Sequence, residues 1–241
     1  MSIRDSYDVI IIGAGPAGIF AALEFHKISP RLSVLIIDKG RRIDKRSCPA
    51  RLSGVCVHCD PCAIMSGWSG AGAFSDGKLT LSEEVGGQLT DYLPAKEVRE
   101  LIGYCDDIYK SYGASPVVHG TATQEIERIA YECQKHNIQL ITNPIRHLGT
   151  DGALRVLTGM YETIAASEQV DFAELTQAED LLVDGGRVVG VRMRTRVGPS
   201  HGEASRDVAA RSVIATWGSS KPSMTAPSSV AHAPVEVASR T

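Results

Sequence analysis

Residues Gly13-Ala14-Gly15-Pro16-Ala17-Gly18 carry the spacing G-x-G-x-x-G. A turn of this kind works by omission: with side chains removed, backbone N–H groups approach a diphosphate, and a helix opening there adds its positive end. Gly13 is expected to permit the tight turn, Gly15 the approach of a pyrophosphate, and Gly18 the contact between helix and strand. Pro16 and Ala17, inside the same turn, are counted with the site. Asp38 stands twenty residues after Gly18, where a carboxylate accepts hydrogen bonds from ribose hydroxyls and repels a 2′-phosphate. Lys39 follows it directly. A Gly-rich turn standing alone is often only a turn. Strand, helix and acid in the right order make a dinucleotide site, with NADP disfavoured, the stronger reading. The motif does not separate FAD from NAD.

A second group is thiol. Cys56, Cys59 and Cys62 are spaced C-x2-C-x2-C, with Cys48 upstream and His58 among them. Four thiolates that converge complete a tetrahedral zinc site or hold an iron–sulfur cluster. Two that meet as C-x-x-C can cycle as a redox pair. The third reading is free thiols in a loop. All three stay open on the sequence. Cys105 and Cys133 fall on apolar helix faces and are expected in the core, and His119, His136 and His147 stand alone. The basic run Arg41, Arg42, Lys45 and Arg46 is either a solvated loop or a phosphate contact.

The elements that must position these groups follow from the apolar pattern. Tyr7–Gly13 is a β-branched run of the kind buried on both faces, Ile19–Lys27 a helix, and Val34–Asp38 a second buried strand. Such a β-α-β unit requires a parallel sheet. Residues 39–94 are poor in periodicity and rich in Gly and Cys; a loop of this length inside a domain is usually functional.

Three amphipathic helices are expected within 95–168. The first buries Val98, Leu101, Ile102, Cys105, Ile108, Tyr109 and Tyr112. The second is capped by a box at Thr121–Gln124 and turns Ile126, Ile129, Ala130 and Cys133 inward. The third is capped by Asp151, with Leu154, Leu157, Tyr161 and Ile164 as its stripe. Strands are expected at Ile138–Thr142 and Val170–Ala173, a hairpin at Asp180–Val183 and Arg187–Arg194 around Asp184-Gly185-Gly186, a polar loop at Gly198–Arg206, and a last buried strand at Ser212–Thr216. The expectation is a Rossmann-like α/β domain over 1–218, followed by a disordered tail over 219–241.

Composition bounds the function. The chain has 241 residues, 43% hydrophobic and 22% charged, which excludes wholesale disorder. A formal net charge of −3 and 5% aromatics give no basic field and no stacking platform, so neither nucleic acid nor acidic lipid is an expected partner. Val9–Leu23 is apolar but too short to span a bilayer, and Asp5 and Asp8 stand where a signal peptide carries basic residues. A cytoplasmic location is expected.

The N-terminal Gly-Ala-Gly-Pro-Ala-Gly resembles the FAD site of the glutathione-reductase-like flavoproteins. The segment from Cys48-Pro49 through the three clustered cysteines to Gly67-Trp68-Ser69-Gly70-Ala71-Gly72-Ala73-Phe74-Ser75-Asp76-Gly77-Lys78-Leu79 is more specific. It resembles a group of FAD-dependent dehydrogenases, over roughly Tyr7 to Thr216. The resemblance implies FAD as cofactor, NAD(P)H as electron donor and a small organic substrate. It places Gly70, Gly72 and Gly77 along the isoalloxazine, Ser75 in a bond to the cofactor, and Lys78 as positive charge near the ring. Phe172–Val191, Ala178 included, resembles the strands whose backbone meets adenine. Ser212-Val213-Ile214-Ala215-Thr216 and Gly218 resemble the strand and turn that re-enter the FAD site, with Trp217 departing from the pattern. Relatives continue past this strand, so the chain is expected to be incomplete as a catalyst. The competing class is a non-catalytic nucleotide- or metal-binding fragment.

Overall fold

The computed structural model describes residues 3–196 and 202–216. In chain order its elements are β1 (Ser6–Ile12), α1 (Pro16–Ile28), β2 (Val34–Ile37), α2 (Ala50–Ser53), β3 (Lys78–Thr80), α3 (Ala95–Ser111), β4 (Val118–His119), α4 (Thr123–Lys135), β5 (Ile145–His147), α5 (Gly149–Ala165), β6 (Val170–Ala173), β7 (Thr176–Asp184), β8 (Arg187–Arg196) and β9 (Glu203–Ala215). Two compact units result, Met1–Trp68 with Thr163–Thr241, and Ser69–Glu162. Among the described residues no helix is long and apolar enough to cross a membrane.

The first unit is built on a six-stranded sheet in the order β6-β2-β1-β9-β8-β7. β2 (Val-Leu-Ile-Ile) is buried at every residue and β1 over its last four. Continuous burial of this kind requires cover on both faces, as in a parallel sheet. β6, β2, β1 and β9 are indeed mutually parallel, so the α/β expectation holds. Their registers pair Ile12 with Ile37 and with Ala215, and Ile37 with Ala173. The carboxyl ends of four strands therefore lie level along one edge. β1 is flanked by β2 on one side and by the chain's return strand β9 on the other. That is the position at which open α/β sheets form a ligand crevice.

The antiparallel part is larger than the sequence suggests. β7 and β8 pair through a two-residue turn at Gly185 and Gly186, with φ of +54° and +78°, which suits glycine. β9 begins at Glu203, so part of the stretch read as the polar loop Gly198–Arg206 is strand. Its polar residues belong to a ladder: Asp207 lies opposite Arg192 and Glu203 opposite Arg196, and Arg192 bonds Asp207 at 2.8 Å. Opposed charges across a ladder favour pairing where apolar alternation is absent. Tyr7, Ile10, Leu35, Ile37, Val191, Met193 and Val208 form one buried cluster. Tyr7 carries its hydroxyl into that cluster and donates it to buried Asp171 at 2.6 Å.

The second unit holds a three-stranded antiparallel sheet, β3-β5-β4, and helices α3 and α4. Several expectations are corrected there. The capping box does not form, because α4 starts at Thr123 after Ala122, with no side-chain cap. The face expected inward on α4 contains no buried residue, and Ile129 is 39% exposed. Ile138–Thr142 forms no strand, since it has no ladder partner among the described residues; Ile141 is 77% exposed. α5 starts at Gly149, so Asp151 lies inside its first turn rather than capping it. Its buried stripe is Ala153, Val156, Leu157, Met160 and Ile164, with Leu154 turned outward. On α3, Val98 is buried as expected and Leu101 is exposed, while Asp106 is buried unexpectedly. The reason is Arg146 on β5, a buried guanidinium that bonds Asp106 Oδ2 at 2.7 Å. A buried charge needs such a partner.

Candidate functional site

The level carboxyl edge of the parallel strands gathers Gly13, Asp38 and Thr216. Gly13 N–H donates to Ile37 O at 2.8 Å and Thr216 N–H to Ile12 O at 2.9 Å, which extends both ladders one residue past the strands. The Thr216 hydroxyl lies 3.0 Å from both Ile12 O and Gly13 O. The last described residue of β9's segment is thus tied into the Gly-rich turn.

The three glycines of that turn are glycine for different reasons. Gly13 has φ +103°, and a Cβ there would stand 2.9 Å from Thr216 Oγ1. At Gly18 a Cβ would stand 2.0 Å from Gly13 O, so helix and turn touch through the missing side chain. Gly15 is unlike both. Its φ of −73° and ψ of −177° are ordinary extended values, those any residue preceding proline adopts. A Cβ on Gly15 would meet nothing within 4 Å. Nothing inside the chain requires glycine at that position. The side chain is missing where the turn faces open space, beside exposed Pro16 and Ala17.

α1 starts at that point, with Gly15 as its cap, no side-chain cap bond and Pro16 in its first turn. Its leading N–H groups have no partner within the helix, and they carry the positive end of its dipole. Beside them, Asp38 Oδ2 accepts from Ala14 N–H at 2.9 Å and Oδ1 from Gly40 N–H at 2.7 Å. Each carboxylate oxygen keeps a second acceptor position. The carboxylate is therefore fixed in orientation and still able to receive hydroxyl donors. The sequence reading assigned it only the second task.

Lys39 is exposed and lines a small cleft with Pro61, Leu175, Gln177, Arg194 and Arg196. Ala178 sits next along β7, with its methyl group in the core and its backbone opposite Met193. In the second unit Ser75 Oγ donates to Gly72 O at 3.1 Å and accepts from Gly77 N–H at 3.2 Å, so its hydroxyl serves its own loop. Gly77 is required by packing, because a Cβ there would stand 2.9 Å from Ala153 Cβ. Gly70 has φ +56°, Gly72 has only Ser69 Oγ near a Cβ, at 3.6 Å, and Lys78 pairs with Asp76 at 2.7 Å on the surface. Gly218 and the segment 219–241 lie outside the described residues.

Of the three readings left open for the cysteines, a four-thiolate site at Cys48, Cys56, Cys59 and Cys62 finds no support in the structure. Among the described residues no group of three or more His, Cys, Asp or Glu is arranged to hold a metal ion. Cys48 is buried while Cys56 and Cys62 are exposed, so the thiols do not share one environment; none of the six cysteines is in a disulfide. The basic run divides as well. Arg42 bonds Asp44 at 2.9 Å and Lys45 bonds Glu174 at 2.9 Å. Arg46, which the sequence offered as a surface cation or phosphate contact, is buried. It donates to the carbonyls of Ala63, Ile64 and Trp68 at 3.0, 2.6 and 2.5 Å. Burial pulls its pKa down to about 10 against the pull of Asp38. Its partners lie 17 to 22 residues away, beyond any local pattern. The reciprocal crowding of Gly40 and Gly67, where a Cβ on Gly40 would stand 2.3 Å from Gly67 N, was also missed. Its one sequence signal is a glycine directly after Asp38-Lys39.

No protein-family model matches the chain, and no curated protein matches it. Among solved structures it is similar to THI4 of Thermovibrio ammonificans, at 13% identity and TM-score 0.46, covering 88% of this chain and 58% of that one. It is similar to the FrdA subunit of E. coli quinol fumarate reductase, at 16% identity and TM-score 0.48, covering 88% of this chain and 32% of that one. It is also similar to L-amino acid deaminase from Proteus vulgaris, at 12% identity and TM-score 0.47, covering 90% and 49%. This chain thus spans less than two thirds of each of these. Likeness at this level does not extend to chemistry.

Proposed function

We propose that the first unit binds FAD, with the pyrophosphate at the Gly15 turn and the adenosine ribose at Asp38, and that the protein is an FAD-dependent oxidoreductase. The observation that carries the reading is Gly15, a glycine with ordinary backbone angles and an open Cβ position at an uncapped helix start. A missing side chain that the protein does not need serves something outside the chain, and the N–H groups around it select an anion. Asp38, held by two backbone N–H groups with acceptor capacity to spare, suits ribose hydroxyls and opposes a 2′-phosphate. FAD is preferred to NAD on the resemblance of the segment from Cys48 to Leu79 and of the β7–β8 hairpin, Ala178 included. When bound, FAD supplies hydride chemistry between a reduced nicotinamide and a small organic acceptor. The chain's own part is to anchor and orient. A cytoplasmic location, with no nucleic-acid or membrane partner, is proposed on charge and composition.

Equilibrium dialysis of the chain against FAD, NAD⁺ and NADP⁺ at matched concentrations tests this. FAD is expected to be retained, and NADP⁺ least of the three. Retention of NAD⁺ without FAD overturns the flavin assignment, and NADP⁺ held as firmly as FAD removes the role given to Asp38.

A further inference from the structure

Among the described residues the clustered cysteines are not gathered around a common metal position, but two of them are set up for another reaction. Cys62 opens a single turn, in which its carbonyl accepts from Met65 N–H at 3.2 Å and Ser66 N–H at 2.9 Å. Hydrogen bonding from the N–H groups of Met65 and Ile64, in that turn, and from the Cys59 thiol holds the Cys62 thiol below its usual range. The turn is braced from below, because buried Arg46 holds the carbonyls of Ala63, Ile64 and Trp68 and brings a positive charge toward the sulfur. Two residues before the turn, Asp60 is bound by Arg196 at its carboxylate, at 2.8 Å, and at its carbonyl. Cys62 itself is exposed and Cys59 half-buried.

We propose that Cys62 and Cys59 form a thiol–disulfide exchange site for low-molecular-weight disulfides, with Cys62 attacking and Cys59 resolving. The Cys62 thiolate attacks one sulfur of a disulfide RSSR, the S–S bond breaks, and RS⁻ leaves with the electron pair, to be protonated by water. Cys59, having lost its proton to water, then attacks Sγ of Cys62 in the mixed disulfide. The second RS⁻ leaves, and the Cys59–Cys62 disulfide forms. Two protein thiols are oxidised, and one RSSR is reduced to two RSH.

The division of roles follows from the surroundings. The attacking sulfur must be accessible and stabilised as an anion. Cys62 has two backbone N–H donors and Arg46, which hold its thiol below the usual range. Cys59 needs only to reach Cys62, and half-burial shields it from a bulky disulfide. Cys56, also exposed on the same loop, is the internal comparison. The proposal does not rest on the FAD reading and can fail independently of it.

The experiment uses the whole chain, reduced and freed of metal by chelation. It is exposed to oxidised glutathione, quenched with N-ethylmaleimide at intervals and mapped by mass spectrometry. The expected first product is glutathione on Cys62, converting to a Cys59–Cys62 disulfide. In Cys59→Ser the glutathione stays on Cys62. In Cys62→Ser, modification at Cys59 is slower by at least about tenfold, as expected when the activated thiol is lost. The wild-type time course is decisive by itself if either variant fails to fold. Modification of Cys56 as fast as Cys62, or a disulfide that includes Cys56, overturns the proposal. So does protection of Cys48, Cys56, Cys59 and Cys62 together by one equivalent of zinc.

Discussion

Alanine at Gly18 and alanine at Gly15 should have unequal consequences for the fold, although both lie in one turn. At Gly18 the new methyl carbon would stand 2.0 Å from Gly13 O and 3.1 Å from Thr216 Oγ1. The first is more than 1 Å short of ordinary contact, and the obstructing atom is a carbonyl held in place by the Thr216 hydroxyl. Relief requires α1 to move off the sheet. Overpacking of this kind costs about 1–3 kcal/mol, and more where backbone is the obstacle. Alanine's better helix propensity returns about 1 kcal/mol. Because the obstacle is backbone, the cost lies at the upper end, about 3 kcal/mol, and a net loss of about 2 kcal/mol lowers Tm by roughly 4–8 °C in a chain of this size. At Gly15 the methyl group meets nothing within 4 Å and the backbone angles already suit alanine, so stability should change by less than about 0.5 kcal/mol. Thermal and urea unfolding followed by far-UV circular dichroism measure both. Equal losses for the two variants, or a Gly18→Ala protein as stable as wild type, would refute the packing argument.

Asp38→Ala should lower stability by about 1–3 kcal/mol as well as dinucleotide affinity, because Ala14 N–H and Gly40 N–H lose their acceptor; an affinity loss with unfolding unchanged would contradict the observed bonds. Arg46→Met should destabilise by at least about 2 kcal/mol, since three carbonyls lose a charged donor, and the loop 62–68 should become the first site of limited proteolysis; a protease pattern like that of wild type counts against the brace. Tyr7 has its pKa pushed up to about 12 by burial and by its bond to Asp171. The folded state therefore keeps the phenol proton longer than the unfolded state, so the contribution is complete below pH 10 and lost as pH rises from 10 to about 12. Tyr7→Phe should remove that part of the alkaline loss of stability, and a stability–pH curve parallel to wild type above pH 10 would count against it.

What the sequence made legible was local or strongly periodic. Runs buried on both faces at Val9–Ile12 and Val34–Ile37, the Gly-rich turn and the acid twenty residues on from Gly18 all lie within one β-α-β unit, where spacing fixes geometry. Val170–Ala173 and the hairpin at Gly185-Gly186 were legible for the same reason. The missed features depend on distant partners. Glu203–Arg206 looked like loop because its strand character comes from its partners on β8, Arg194 and Arg196 among them. Asp106 looked like helix surface because its partner is forty residues away. α4 has the apolar spacing of a buried helix and yet no buried residue, so periodicity alone did not say whether its face is covered. In the site, Gly13, Gly18 and Asp38 are joined by internal contacts that no motif specifies, and Gly15 stands apart only once the space around each Cβ is known.

The most direct test of the central claim is the FAD affinity of Gly15→Val beside its unfolding curve, both against wild type. Valine's extended-backbone preference suits φ −73° and ψ −177°, and its Cβ enters space the protein leaves open to 4 Å. The account predicts a Tm within about 1–2 °C of wild type, in line with a surface-like change of about 0.5 kcal/mol, together with loss of FAD binding in a fluorescence-quenching titration that wild type saturates. An unchanged FAD affinity in a folded Gly15→Val protein would contradict it.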